Sequence, residues 1–287
     1  MNSLEILKTG PLSLIQDLGR TGHLRSGVGV SGAADRRSLQ LGNRLVGNAE
    51  DAAGIEILMG GLRLRAHQLM TLAFTGARAQ AYRDGVPVGH SSVIVVNPGQ
   101  VVRLDYAPSG LRTYLTVRGG IAVPEILGSR STDTLSGIGP APLKPNDVLP
   151  IGPIPAVFPL VDVAPVHQVS GGTLGIRVVF GPRADQFVNP EALTAGRWAV
   201  STDSDRIGAR LDRVGTDALL QRADGLELPT EGLALGSIQV PPSGQPVAFL
   251  ADHPITGGYP VVAVVTDADI DRLGQARPGQ KIRFVGN

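Results

Sequence analysis

Apolar residues recur along this chain in short runs or alternations, with Gly or Pro at most of their boundaries. That texture predicts strands and tight turns. Leu12, Leu14 and Ile15 predict a first short strand, broken after Gln16-Asp17 by Gly19 and Gly22. From Leu58 to Val123 the text stays β: residues 69–75, "SSVIVVNPG", "VVRLDYAPSG" and "RTYLTVRGG" are short and β-branched. Asp84-Gly85, between Ala79–Tyr82 and Val86–Val88, predicts a hairpin turn, because Gly accepts positive φ. One helical pattern interrupts the strands. Ala34, Leu41 and Leu45 share a helical face, with Ser31 as the expected N-cap, Asp35 in the first turn and Gly47-Asn48 as the stop.

Three segments repeat a Pro-led turn followed by an alternating strand: "NPGQVVRLDY" at 97–106, "KPNDVLPIG" at 144–152 and "RPGQKIRFVG" at 277–286. A weaker echo pairs "SGAADRRSLQLGNRL" with "STDSDRIGARL" at 201–211. Together they predict two related β domains, 1–155 and 172–287, joined by the Pro-rich stretch Pro150 to Gly172. Past it, Thr173–Phe180, Leu233–Val240, Pro246–Ala251 and Tyr259–Val265 predict strands. Pro190–Ala195 predicts a helical turn, and Asp267 is the expected cap of a short helix through Leu273. The expected fold is mainly β, two barrels or sandwiches with a few short helices.

Composition narrows the function. A chain of 287 residues with 42% hydrophobic and 18% charged residues and a net charge of +1 fits globular structure. Basic residues are scattered, so no nucleic-acid footprint is expected. Only Lys8, Lys144 and Lys281 are lysines among 26 basic residues. The arginine excess fits GC-rich coding or recognition of carboxylates and phosphates. Absence of cysteine excludes disulfides, thiolate metal sites and cysteine nucleophiles. "MNSLEILKTG" lacks the regions of a signal peptide, and no apolar run approaches the ~20 residues of a membrane span, so a cytoplasmic protein without membrane partners is expected.

Gly27, Gly29 and Gly32 match the dinucleotide fingerprint spacing, but a polar, turn-like "RTGHLRS" precedes them and no βαβ unit follows. What remains is a glycine turn, either plain or one that offers N–H groups to an anion. There is no phosphate loop and no Gly-x-Ser-x-Gly elbow. The five histidines (His23, His67, His90, His167, His253) lack zinc spacing, so no metal site is expected. Polar residues left over in the opening are Gln16, Asp17, Arg20, Ser31, Asp35, Asn43 and Arg44. In "STDSDRIGAR", Asp205 reads either as a turn cap or as an acid, with Arg206 as a charge stabiliser. Gln239 and the run Thr256-Gly257-Gly258-Tyr259 fit either close backbone approach to a ligand or a tight barrel corner.

Several of these segments carry a resemblance. "IQDLGRTG…GVGVSGAADRRSLQLGNRLVGN", "RTYLTVRGGIAVPEILGSRSTD" at 112–133, Ser204 to Leu211, Gly236 to Pro241 and Thr256 to Pro260 are similar to motifs of the carboxyltransferase subfamily 2, or allophanate hydrolase subunit 2, proteins. That family includes the C component of the ATP-dependent 5-oxoprolinase and the KipA antagonist, and it resembles a region of urea carboxylase. The sequence departs from it after Asp133, where "LSGIGPAPLKPND" has no arginine, and before Thr256, where His253 and Pro254 replace Arg-Gln. The resemblance implies a cyclophilin-like β-barrel fold. It also implies partnership with a KipI-like B component (carboxyltransferase subfamily 1) and with the A component of 5-oxoprolinase. The implied reaction is ATP-dependent, Mg²⁺-assisted opening of 5-oxoproline to glutamate. Under that implication Asp17, Arg20, Asp35, Asp205 and Arg206 are the expected catalytic groups. Gln16, Ser31, Gly32, Asn43, Arg44, Gln239, Thr256, Gly257, Gly258 and Tyr259 are the expected substrate or nucleotide contacts. Two other functions are implied: a non-catalytic antagonist of a KipI-like kinase inhibitor, and a biotin-dependent carboxyltransferase component whose biotin arrives on another chain.

Overall fold

The structure, a computed structural model, describes residues 2–166, 169, 171–223 and 228–286. The chain is mainly β with a few short helices, and its residues cluster into two compact units, 1–21 with 31–169 and 22–30 with 170–287. His167, together with Gln168 and Ser170 of the Pro-rich stretch, lies outside the described residues.

In the first unit the strands are β1 (Ser3–Thr9), β2 (Leu12–Gln16), β3 (Gly54–Leu58), β4 (Leu62–Ala66), β5 (Met70–Gly76) and β6 (Ala81–Arg83). They continue with β7 (Val86–Val88), β8 (Ile94–Val96), β9 (Val101–Leu104), β10 (Arg112–Val117) and β11 (Val148–Pro150). One sheet runs β11-β1-β4-β9-β6-β7 and the other β2-β3-β10-β5-β8. Leu4, Ile6, Leu64 and Leu104 of the first share a core with Ile55, Ile57, Phe74 and Leu115 of the second. Helix α1 (Arg36–Val46) covers the other face of the five-stranded sheet: Leu39 packs with Tyr114, and Leu45 and Val46 pack with Ala73. Gly42 permits this close approach, since a Cβ there would lie 2.8 Å from the Thr116 side chain. With both faces covered, every residue of β10 is buried.

The helix begins later than its sequence suggests. Asp35, not Ser31, is the N-cap, and its Oδ1 accepts from the Ser38 amide at 3.0 Å. Ser31 sits in the preceding loop at φ +57°. The stop is where Gly47 and Asn48 place it: Gly47 is left-handed, and the Asn48 amide donates to Asn43 O.

The second unit holds β12 (Leu174–Phe180), α2 (Ala192–Ala195), β13 (Trp198–Val200), β14 (Gly208–Arg213), β15 (Glu231–Gly232), β16 (Ser237–Gln239), β17 (Val247–Phe249), β18 (Thr256–Gly257), β19 (Val261–Val265), α3 (Asp267–Gly274) and β20 (Lys281–Gly286). Seven of these strands close a barrel in the order β12-β19-β16-β17-β14-β13-β20, sealed by the parallel pair β12–β20. Trp198 fills its core and donates its indole N–H to Leu193 O at 2.9 Å. Thr266 takes the N-cap position of α3, and Asp267 is its first helical residue. The echo between the opening segment and 201–211 does not survive as structure, because the first forms α1 and the second a turn leading into β14.

Candidate functional site

Strand β2 ends at Gln16, and Asp17 turns the chain through Gly19, which has φ +90°. Residues 129–133 run beside this turn: Thr132 N donates to Ile15 O at 2.9 Å, and Asp17 N donates to Ser131 Oγ at 3.0 Å. The Asp17 carboxylate organises both segments. Its Oδ1 accepts from Gly19 N at 2.8 Å, Ser129 Oγ at 2.7 Å and Ser131 Oγ at 2.5 Å, and its Oδ2 accepts from Arg130 N at 2.6 Å. Four donors thus converge on this carboxylate, which holds the turn and residues 129–131 in shape.

Three side chains converge on two consecutive carbonyls of this segment. Gln16 Nε2 donates to Thr132 O at 2.8 Å, Ser31 Oγ donates to the same oxygen at 3.3 Å, and Arg20 Nη2 donates to Ser131 O. All three residues are buried, Gln16 at 0% and Arg20 at 1% exposure. Gln16 Oε1, Arg20 Nε and Arg20 Nη1 have no hydrogen-bond partner among the described residues. Gly32 gives the loop its path: at φ +95° its Cβ would lie 2.8 Å from both Leu18 C and Gly19 N.

The other opening residues do different work. Asp35 caps α1 with both oxygens, and its amide donates to Tyr114 Oη at 2.7 Å. That hydroxyl donates to Glu56 Oε2 at 2.7 Å, which also accepts from Ala34 N at 3.0 Å. Burial, and then the Glu56 and Asp35 carboxylates, push the Tyr114 phenol well above its usual range. Arg112 Nε lies 3.3 Å from Glu56 Oε1, both side chains being buried. Asn43 pins the loop after the helix by donating to Glu50 O at 3.1 Å and Ala52 O at 2.7 Å. Arg44 is exposed and pairs with Glu50 at 2.7 Å. Asn43 and Arg44 are therefore not part of the Arg20 cluster.

In the second unit Arg206 forms a buried, two-pronged ion pair with Asp252, Nε–Oδ2 at 2.8 Å and Nη2–Oδ1 at 3.0 Å. Asp205 is exposed and folds its own turn, with Oδ1 accepting from Ile207 N at 2.8 Å and Gly208 N at 3.1 Å. The turn-cap reading of Asp205 thus describes its geometry, and Arg206 is neutralised by a carboxylate. Gln239 Nε2 donates to Tyr259 O at 2.8 Å. Thr256 and Gly257 pair with β15, and a Cβ on Gly257 would lie 2.5 Å from Gln239 Nε2, so the glycine serves close packing. Gly258 and Tyr259 are exposed, with Arg222 over the Tyr259 ring at 5.9 Å. A cavity of about 700 Å³ lies elsewhere in this unit, lined among others by Asn189, Leu219 and Gly244, and no sequence-predicted site residue lines it. Its Asn189 carboxamide is already spent on Leu219 O and Gln221 N.

Sequence reasoning misses Ser129 and Ser131 as partners of Asp17, and it misses the Glu56–Tyr114–Arg112 network entirely. The first are legible as hydroxyls in "GSRST"; the second stands on strands whose text gives no sign that both faces are covered.

Residues 26–286 match the sequence profile described as carboxyltransferase domain, subdomain A and B. The chain belongs to this family. It is 36% identical to the C component of the Escherichia coli 5-oxoprolinase, over 98% of this chain and 90% of that protein. Among solved structures, the crystal structure of TTHA0988 superposes with a TM-score of 0.88 at 34% identity, covering 99% of this chain and 55% of that one. Kluyveromyces lactis urea amidolyase superposes at 0.90 and 31% identity, covering 99% of this chain and 18% of that one. The chain thus spans about half of TTHA0988 and a much smaller part of the amidolyase.

Proposed function

We propose that this chain is the C component of a cytoplasmic, ATP-dependent 5-oxoprolinase that opens 5-oxoproline to glutamate together with an A and a B component. The observation that carries the reading is near-full-length similarity to a 5-oxoprolinase C component, 98% of this chain on 90% of that protein. A five-membered lactam is a poor electrophile, so ATP supplies activation at the carbonyl oxygen before water attacks the carbon. The nitrogen then leaves as the amine, and phosphate departs.

The described residues do not form a magnesium site by themselves. Among the described residues no group of three or more acidic or histidine side chains is placed to hold a metal. Both oxygens of Asp17 and Asp35, and Oδ1 of Asp205, are engaged by protein donors. In this reading the nucleotide and its metal belong to the partner components, and this chain contributes recognition of the organic substrate.

A second reading is a biotin-dependent carboxyl transfer, favoured by the superposition on urea amidolyase. Here biotin would come from another chain. The two are separated by ADP formation in the reconstituted assembly. Stimulation by 5-oxoproline supports the first; stimulation by urea and bicarbonate with a biotinylated carrier supports the second and removes the first.

A further inference from the structure

The outer face of the six-stranded sheet carries a line of cations that the fold does not ask for. Lys8 of β1 stands opposite Arg63 of β4, and Arg63 stands opposite Arg103 of β9. All three are exposed, and the core residues Leu62, Leu64, Val102 and Leu104 flank the two arginines along their strands. Directly opposite side chains on neighbouring strands have Cβ atoms about 5 Å apart, and like charges so placed destabilise the pair. The next row on β1 and β4 shows the arrangement that stability favours: Glu5 stands opposite Arg65 and accepts from its Nη1 at 2.8 Å. Asp105 lies 3.3 Å from Arg103. Among the described residues the Lys8 and Arg63 side chains have no hydrogen-bond or ion-pair partner.

Two tyrosines stand beside the row. Tyr82 of β6 is opposite Arg103, whose guanidinium lies 4.4 Å from the ring centroid. Tyr106, 56% exposed, closes over Gly61 at the entry to β4, where a Cβ would meet the ring Cζ at 3.0 Å. Tyr and Arg are the residue types that dominate binding energy at protein interfaces. Left to itself the row repels itself, and carboxylates from a partner relieve that repulsion. A nucleic-acid backbone fits less well. Glu5 on one side of the row and Asp105 on the other would face its phosphates.

We propose that this face docks an acidic protein surface carried by another component of the assembly, its carboxylates resting on Lys8, Arg63 and Arg103. The proposal rests on the 5-oxoprolinase reading for where that partner is found. Arg63 depends on the partner most, because a cation stands on either side of it and no carboxylate among the described residues pairs with it.

The test mixes the full chain with the A and B components, singly and together, and follows complex formation by sedimentation velocity at rising salt. The wild type should bind, with an affinity that falls as salt screens the contact. Arg63→Glu should weaken binding by roughly 10-fold or more, as charge reversal at a complementary interface does. Adding Lys8→Glu should weaken it further and flatten the salt dependence. Lys281→Glu, the same charge change on β20, should leave binding unchanged. The Arg63→Glu chain alone should unfold at an equal or higher midpoint, because a carboxylate then stands between Lys8 and Arg103. Weaker binding from a chain that stable cannot come from misfolding. Wild-type affinity and salt dependence in the Lys8→Glu, Arg63→Glu double variant would overturn the proposal, and so would a wild type that binds neither component. A lowered midpoint in Arg63→Glu would overturn it too, since the row would then be structural. So would a single-stranded oligonucleotide that binds the wild type and not Arg63→Glu while the components bind both alike. A charge-sensitive complex without 5-oxoproline-dependent turnover removes the functional reading and upholds this surface.

Discussion

Asp17 and Ser131 bond to each other in both directions: the Asp17 amide donates to Ser131 Oγ at 3.0 Å, and that hydroxyl donates to Asp17 Oδ1 at 2.5 Å. The pair locks the end of β2 to a segment more than a hundred residues later. Asp17→Ala should strip partners from Ser129, Ser131, Arg130 N and Gly19 N together, at a cost of about 3 kcal/mol in unfolding free energy. Ser131→Ala should cost about 1 kcal/mol less than that, and the double variant should cost less than the sum. Denaturant titration of the three variants measures this; strict additivity would mean the two residues act independently.

Arg206 and Asp252 make the corresponding bond in the barrel unit, with side-chain exposures of 4% and 0%. Arg206→Met alone should destabilise by about 3–5 kcal/mol, because the buried carboxylate loses its partner. Arg206→Met combined with Asp252→Leu should recover most of that loss. Such recovery, with turnover restored in the assembled complex, marks Arg206 as structural. A stable double variant that stays inactive would return Arg206 to the chemistry.

His90 gives the fold a pH signature. Burial lowers its pKa to about 4, against the opposing bond to Gly76 O, and the Arg78 charge adds to the depression. An unfolded histidine takes up its proton near pH 6.5. Between pH 6.5 and 4 the unfolded chain therefore binds the extra proton, and stability falls as pH falls. The contribution is complete above about pH 6.5 and lost by about pH 4, amounting to up to about 3 kcal/mol. His90→Gln should flatten the stability profile across this window. An unchanged slope would assign the acid sensitivity to other groups.

Much of the fold is readable in the sequence because turns obey local chemistry. Asp84 and Gly85 both take positive φ, as a two-residue hairpin between β6 and β7 requires. The three Pro-led repeats are one device. Gln100 N donates to Asn97 O, Gln280 N to Arg277 O and Asp147 N to Lys144 O, with Gly99, Gly279 and Asn146 at positive φ. In each the last side chain accepts from the first amide, at 2.8, 3.1 and 2.7 Å. The candidate site is readable only in part. Gln16, Arg20 and Ser31 converge as their density of polar groups suggests, but Asn43 and Asp35 belong to the helix ends, where short polar side chains serve caps and loops equally well. Glu56 stays hidden because a lone acid in "GIEIL" looks like the solvent side of a strand, and only α1, packed from elsewhere in the sequence, makes that side interior.

Release of glutamate from 5-oxoproline by the assembled components, with ATP and Mg²⁺, tests the central claim most directly when this chain is present and when it is left out. The account predicts glutamate formation that stops on omission and returns on adding the chain back. Undiminished release without it, or none with every component present, would contradict the assignment.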